Sequence, residues 1–249
     1  MQSTHPAENR SDAELIRRNR RFYEALWAQT RLVDPARFNT WPLLHELARQ
    51  APRRLEVAPG LRPRLPLEGT CFVDLSRSAL RRLQSANANV VHGAIGALPC
   101  RDASFDLICA LDILEHVADD TGALAELARV AAPGAQVLLS VPLHPEAWTA
   151  FDEFVGHCRR YEPARILALL AQHGFQLEHS AVYGMQPKSP RLLDLGQWFL
   201  THQRERAMWW YNRVLMPLAL RFQKPLRWRE GLGDTRGVDE VLLRCRREG

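Results

Sequence analysis

The sequence predicts an α/β protein with a mostly parallel sheet covered by helices on both faces. Strand-length apolar runs alternate with helix-length amphipathic runs through the middle of the chain, and proline or glycine separates several of them. The length of 249 residues suits one domain with additions. The predicted strands are Arg54–Val57, Cys71–Asp74, Asn89–His92, Phe105–Ala110, Gln136–Val141, Gln176–Tyr183 and Asp239–Cys245, seven in all.

Two helices are predicted between these strands. The first begins with Asp120 or Thr121 as its N-cap, carries Leu124 and Leu127 on one side, and ends at Pro133-Gly134. The second covers 163–173, because Pro163 suits a first helical turn and Gly174 suits the position just past a helix end. Both are expected to pack on the sheet.

Two additions flank the predicted core of residues 51–184. Residues 1–50 contain amphipathic helical patterns, among them NRRFYEALWAQT, and are expected to form a helical cap. Residues 185–237 form an insertion before the last strand, which belongs to residues 238–249. The insertion holds ten basic against four acidic side chains, whereas the whole chain has a net charge of +5. Because the basic excess belongs to one segment, no nucleic-acid partner is expected.

Composition and cysteine spacing argue against several other classes of protein. No apolar run approaches the ~18 residues that a membrane-spanning helix needs, and the polar N-terminus does not resemble a secretory signal, so a cytoplasmic location is expected. The five cysteines are scattered and lack CxxC spacing. The sequence therefore predicts neither a disulfide framework nor a metal site.

Three short motifs overlap the predicted strands or lie between them. LEVAPG places Glu56 at a strand end before a Pro59-Gly60 turn, and Asp74 closes the second strand 18 positions later. That offset suits a carboxylate that binds the hydroxyls of a ribose. Further along, GALPC and FDLICALDILEHV surround the fourth strand. A GxGxxG turn is absent, which makes a dehydrogenase the weaker interpretation.

In this order, the motifs resemble those of class I S-adenosylmethionine-dependent methyltransferases of the type 11 group. The resemblance implies a Rossmann-like seven-stranded sheet, S-adenosylmethionine as the cofactor, and a helical cap over its cleft, although a plain packing helix is an equal alternative for the cap. Two departures stand out: Ala58 replaces a glycine, and almost no room remains for the helix after strand 1, so that Arg62 would face the cofactor carboxylate instead. The implied cofactor-binding residues are Glu56, Ala58, Gly60, Asp74, Leu75, Leu98 and Ala110.

After strand 5, FDEFVGHCRRYEP resembles a GHxRRY motif found in some bacterial methyltransferases. It brings together His157, Arg160 and Tyr161, with Asp152 available to orient them, and these three are the candidate catalytic residues. His157 has three alternatives, as a base, a substrate contact or a hydrogen-bonded rim residue. Paired arginines suit an anionic acceptor.

The expected function is methyl transfer to a small-molecule or lipid-like, anionic acceptor. Oxygen is favoured, because no Asn/Asp-Pro-Pro-aromatic run follows strand 4. The alternative function is a catalytically inactive module that keeps the fold. The aromatic and basic residues of 185–237 suit either a lid packed on the sheet or a peripheral contact with a membrane. The oligomeric state is not predicted.

Overall fold

The computed structural model describes residues 30–184 and 209–249, with residues 23, 24, 26, 27, 198, 199, 202, 203 and 206. The first 22 residues of the predicted cap and residues 185–197 of the insertion lie outside the described residues. The helices are α1 (Trp41–Gln50), α2 (Arg77–Ser85), α3 (Asp120–Val130), α4 (Ala150–Val155), α5 (Pro163–Gln172) and α6 (Met216–Arg221). The strands are β1 (Arg54–Val57), β2 (Thr70–Asp74), β3 (Asn89–His92), β4 (Phe105–Ala110), β5 (Ala131–Pro142), β6 (Phe175–Tyr183), β7 (Arg229–Glu230) and β8 (Glu240–Arg247).

The strands form one sheet in the order β3-β2-β1-β4-β5-β8-β6-β7. Strands β1 to β5 pair in parallel, whereas β8 is antiparallel to both of its neighbours, β5 and β6. The prediction of a mostly parallel sheet is confirmed. The predicted count of seven strands is wrong, because the two-residue strand β7 adds an eighth at the edge beside β6. A strand of only two residues is too short to show the alternation of apolar and polar side chains by which a strand is recognised in a sequence.

Successive strands are added in opposite directions on the two sides of β1. Strands β2 and β3 follow on one side, and the chain then returns to place β4 and β5 on the other. In open α/β sheets, ligands bind at such a switch point, beyond the carboxyl ends of the strands. Strands β1, β4 and β5 are almost entirely buried, and their side chains form the main core with α3 and α5. The sheet thus holds the ends of β1, β2 and β4 side by side.

Most element boundaries agree with the sequence prediction, and one difference has a clear cause. Helix α3 ends at Val130, before Pro133-Gly134, and Ala131 already pairs with Phe105 of β4. Pairing between strands therefore ends the helix earlier than its proline would. No helix of the described residues is long and apolar enough to cross a bilayer.

Candidate active site

The turn after β1 and the end of β2 are joined directly. The backbone N–H of Gly60 donates to Asp74 Oδ2 over 2.9 Å, and the N–H of Ser76 donates to Asp74 Oδ1 over 2.7 Å. Burial raises the pKa of Asp74 to about 6, although both hydrogen bonds favour its charged form. The two positions on which the sequence prediction of a nucleoside site depended are therefore in contact.

Glu56 has a different environment from the predicted one. Its carboxylate is buried and accepts hydrogen bonds from the backbone N–H groups of Arg64 and Leu65, at 2.8 to 3.0 Å. Burial raises its pKa to about 7. The described backbone between β1 and β2 contains no helix, as the prolines predicted. Glu56 therefore holds the loop that replaces a helix, and its role in binding a ligand stays a prediction.

Three of the other four predicted cofactor residues lie along the same edge of the sheet. Ala58 has a φ of +55°, the left-handed conformation for which a glycine is the usual residue. Leu75 is partly buried, and Leu98 and Ala110 are buried. Ala58, Leu75 and Ala110 thus lie at or just beyond the carboxyl ends of β1, β2 and β4, whereas Leu98 lies in the chain between β3 and β4 and packs in the core.

The described part of the N-terminal cap lies on this rim. An added Cβ at Gly60, whose φ is +54°, would lie 2.2 Å from Trp27 Cζ2, so the indole ring rests on the glycine backbone. Glu24 accepts hydrogen bonds from the N–H groups of Arg77 (2.6 Å) and Ser78 (3.3 Å) at the start of α2. The Arg62 guanidinium lies 5.4 Å from the Trp27 ring centre and donates to Asn212 Oδ1. The cap thus contacts the predicted cofactor rim.

Asp152 connects two of the predicted catalytic residues. Its carboxylate is fully buried, lies 2.8 Å from His157 Nδ1, and accepts two hydrogen bonds from Arg160 at 3.0 and 3.1 Å. Burial opposes its charge, yet the hydrogen bonds from His157 and Arg160 hold its pKa well below the ordinary value. Arg160 is 1% exposed and also bonds Asp239 over 2.7 Å. Arg160 therefore has no exposed surface to offer a substrate.

His157 also belongs to a second cluster, with Glu115 and His116. His157 Nε2 lies 3.8 Å from Glu115 Oε1, and the rings of His116 and His157 are 4.7 Å apart in a T-shaped arrangement. Burial, as the main cause, and repulsion from Asp112, as the second, raise the pKa of Glu115 well above its ordinary value. Burial, followed by repulsion from His157, lowers the pKa of His116 well below its own.

Tyr161 lies in a separate cluster. Its side chain is fully buried, and its hydroxyl donates to Asp120 Oδ2 over 3.1 Å. Asp120 also pairs with Arg159 over 2.6 Å. The structure thus brings His157 and Arg160 together through Asp152, while Tyr161 contacts another carboxylate. Their predicted catalytic role is untested by these contacts.

Sequence reasoning did not identify Asp120 and Asp239 as partners of the arginines. Asp239 lies 79 positions after Arg160 and starts no recognisable motif. Tyr23, which contacts His116 Nε2 over 3.0 Å, was also missed. A pairing over such separations has no local pattern, although the acidic residues themselves could have been noted as candidates.

The described part of the insertion exposes large apolar side chains. Of its four tryptophans, Trp228 packs beside the core cluster that contains Leu44 and Leu242. The other three, Trp198, Trp209 and Trp210, are 47 to 52% exposed, and Phe222 is 75% exposed. The lid alternative, in which the aromatic side chains pack on the sheet, therefore describes Trp228 but not the other three.

Comparison with known proteins agrees with this geometry. Residues 61–139 match the family model of a methyltransferase domain. A probable S-adenosylmethionine-dependent methyltransferase of Mycolicibacterium smegmatis is 31% identical over 101 residues, which cover 39% of this chain and 38% of the relative. The aligned stretch is thus less than half the length of that relative.

Solved structures share the fold across most of the chain. A possible histamine N-methyltransferase of Thermotoga maritima superposes with a TM-score of 0.54 and 16% identity, over 84% of this chain and 93% of that one. A phosphoethanolamine N-methyltransferase of Haemonchus contortus, in complex with S-adenosylhomocysteine, gives a TM-score of 0.52 at 15% identity, over 84% of this chain and 53% of that one. Residues 61–139 accordingly match the model of a methyltransferase domain, and the chain shares the α/β Rossmann-like fold of these solved structures.

Proposed function

We propose that this protein is an S-adenosylmethionine-dependent methyltransferase. The observation that carries the proposal is the contact between the Gly60 N–H and the Asp74 carboxylate at the switch point of the sheet. An acid at the end of β2 beside a tight turn after β1 suits a ligand with a ribose and a charged tail. The matched methyltransferase domain spans both Asp74 and the end of β4.

Isothermal titration calorimetry tests cofactor binding directly. We expect the wild-type chain to bind both S-adenosylmethionine and its demethylated product, and Asp74→Ala to weaken binding at least tenfold, because the ribose hydroxyls lose a charged acceptor. Asp234→Asn is the control, since Asp234 pairs with Arg236 at an exposed position. Absence of binding by the wild-type chain would refute the proposal. Binding without methyl transfer to any acceptor would favour the inactive module.

We propose different roles for the three predicted catalytic residues. His157 is the one that contacts the acceptor, because its side chain is 12% exposed and Asp152 fixes its orientation through Nδ1. Arg160 and Tyr161 are positioning residues, since both side chains are buried and hold carboxylates. Methyl transfer from a sulfonium needs mostly alignment and exclusion of water, which such a rigid set supports.

We further propose a small-molecule or lipid-like acceptor that is methylated at oxygen. The missing Asn/Asp-Pro-Pro-aromatic run after β4 supports oxygen. The basic pair no longer supports an anionic acceptor, because Arg159 pairs with Asp120 and Arg160 with Asp152. Radiolabelled cofactor with a panel of alcohols, carboxylic acids and amines tests the acceptor atom. Label transferred only to amines would contradict methylation at oxygen.

A second proposal concerns peripheral membrane contact through residues 185–237. Its support is the exposure of Trp209, Trp210 and Phe222 beside the exposed cations Arg213 and Arg221, a combination that suits an anionic lipid surface. Flotation with vesicles containing anionic lipid is expected to recover the wild-type chain, and Trp209→Ser with Trp210→Ser to reduce recovery. Equal recovery of both proteins in the soluble fraction would contradict it.

A further inference from the structure

The cluster of Glu115, His116 and His157 lies where the chain after β4 meets the segment after α4. Glu115 and His116 belong to a short 3₁₀ turn, Leu114–His116, and His157 follows α4. One nitrogen or oxygen atom from each residue lies within 4.8 Å of the others. Residues far apart in sequence thus converge on a small volume.

Glu115 provides an independent sign of a ligand. It is 2% exposed, and its Oε2 atom has no hydrogen-bond partner among the described residues. A buried carboxylate oxygen without a partner is costly, and such an atom calls for an explanation by a water or an ion. Its Oε1 atom faces His157 Nε2, so the carboxylate is directed into the cluster.

Both histidines are held in the way that metal-binding histidines are held. His157 Nδ1 contacts Asp152 Oδ1 over 2.8 Å, and His116 Nδ1 contacts the Gly156 carbonyl over 3.3 Å. Because carboxylate and carbonyl oxygens only accept hydrogen bonds, each Nδ1 carries the proton and each Nε2 keeps its lone pair for a ligand. His157 Nε2 faces Glu115 Oε1. A carboxylate or a backbone carbonyl on the second ring nitrogen is the usual outer partner of a metal-binding histidine.

From these contacts we propose that Glu115, His116 and His157 bind a divalent transition-metal ion of the zinc type. Two imidazoles and one carboxylate are a donor set that suits such an ion and leaves a position open for a further oxygen. The ligand atoms of a tetrahedral zinc ion lie about 3.4 Å apart. Atoms that are now separated by up to 4.8 Å would therefore need to approach by about 1.4 Å, or about 0.7 Å for each of two side chains. The expectation of no metal site rested on the cysteines alone, and none of the three proposed ligands is a cysteine.

Tyr23 of the cap contacts the ring nitrogen of His116 that is proposed to bind the metal. Its hydroxyl contacts His116 Nε2 over 3.0 Å, and its ring packs edge-on against the imidazole. A metal ion at Nε2 replaces that hydrogen bond. If the chain is a methyltransferase as proposed above, an ion here would polarise an acceptor oxygen and lower its pKa, and His157 would then act on the acceptor through the ion instead of directly. The binding of the metal itself does not depend on that reaction.

Metal binding is measured on the full chain after treatment with a chelator. We expect calorimetry with Zn²⁺ to give one equivalent bound, and Co²⁺ to give visible absorption bands unlike those of the aqueous ion. Glu115→Gln and His157→Gln are each expected to weaken Zn²⁺ binding at least tenfold. His45→Ala is the matched control, because His45 is an exposed histidine on α1 that stacks on Trp41, and it should bind as the wild type does. Tyr23→Phe should bind Zn²⁺ at least as tightly as the wild type, since no hydrogen bond is lost.

Thermal melts of the chelated variants show that they fold. The proposal is overturned if the folded wild-type chain binds no Zn²⁺, or if Glu115→Gln and His157→Gln bind it as tightly as the wild type. Titration of S-adenosylhomocysteine into the same chelated protein separates this result from the proposed function. Cofactor binding without Zn²⁺ binding overturns only the metal site, whereas Zn²⁺ binding without cofactor binding overturns only the methyltransferase proposal.

Discussion

Two regions are held together by different kinds of contact: the predicted cofactor rim around Gly60 and Asp74, and the network around Asp152 and Arg160, called here the acceptor side because we propose that His157 contacts the acceptor there. On the cofactor rim, Glu56 and Asp74 accept hydrogen bonds from backbone N–H groups that lie within 14 positions of them. On the acceptor side, the Asp152 carboxylate contacts the side chains of Thr149, His157 and Arg160. Arg160 also reaches Asp239 across 79 positions. The first region is a set of loops tied to strand ends, and the second is a buried network of charges.

This difference determines how well each region tolerates amino-acid substitutions. A carboxylate that binds backbone amides remains in place when neighbouring side chains change, because the donors are present in almost every residue. A buried network needs every member, since the loss of one leaves another charge buried without its partner. Substitutions should therefore be costlier on the acceptor side than on the cofactor rim.

The largest expected effect is that of Asp152→Ala. Removing this carboxylate leaves Arg160 buried with Asp239 as its remaining acid, and breaking a buried pair costs about 3 to 5 kcal/mol of unfolding free energy. Urea denaturation measures it. The control is Asp106→Ala, which removes the exposed pair with Arg53 and should cost about 1 kcal/mol or less. Equal losses would show that the network adds nothing beyond an ordinary surface pair.

Glu56 should make stability depend on pH. Its pKa rises from 4.5 to about 7 on folding, so the folded state binds the proton more tightly than the unfolded state. The unfolding free energy should therefore fall as the pH rises from about 4.5 to about 7, by about 3 kcal/mol. Asp74, raised to about 6, adds a smaller change of the same sign.

Urea denaturation at several pH values in wild type and Glu56→Gln isolates the contribution of Glu56. The amide does not titrate, so the variant should lose most of this pH dependence while keeping that of Asp74. Parallel pH profiles for the two proteins would argue against a raised pKa at Glu56.

Gly60→Ala tests the contact between the cap and the rim. The new methyl group would meet the Trp27 ring at 2.2 Å, in addition to the strain of a φ of +54°. Gly134→Ala is the control, because Gly134 has a φ of +78° and no atom within 4 Å of an added Cβ. We expect Gly134→Ala to cost about 1 kcal/mol and Gly60→Ala about 1 to 3 kcal/mol more in thermal unfolding. If Trp27→Ala in the Gly60→Ala background restores no stability, the contact is unimportant.

The smallest effect is expected for Ala58→Gly. Ala58 has a φ of +55°, and a glycine there relieves about 1 to 2 kcal/mol of strain while it adds about 1 kcal/mol of entropy to the unfolded chain. The net change should lie between zero and about 1 kcal/mol of stabilisation. Ala128→Gly within α3 lacks that strain and should destabilise the chain by about 1 kcal/mol. A loss at Ala58 as large as that at Ala128 would contradict the strain.

The cofactor rim could be predicted from the sequence better than the acceptor side. Asp74 and Gly60 were recognised because strand ends and tight turns have local signatures, and the fold brings them into contact as expected. His157 and Arg160 were recognised from one short motif, but the motif does not reveal that Arg160 is buried by Asp239. The packing of Trp27 on Gly60 was also beyond the sequence, because no pattern specifies which surface a cap covers.

The chain by itself determined the class of fold, the positions of the main strands along the chain and the acids at the ends of β1 and β2, because these depend on the period of apolar residues and on turns between neighbours. Tertiary structure decided which charged side chains pair with each other and which remain able to bind a ligand. It turned the pair Arg159 and Arg160 from a predicted anion site into two internal ion pairs, and it gathered Glu115, His116 and His157 into one volume. The physical reason is range: hydrophobic periodicity acts along a few residues of chain, whereas a buried charge is compensated by whatever partner the fold brings within a few ångströms.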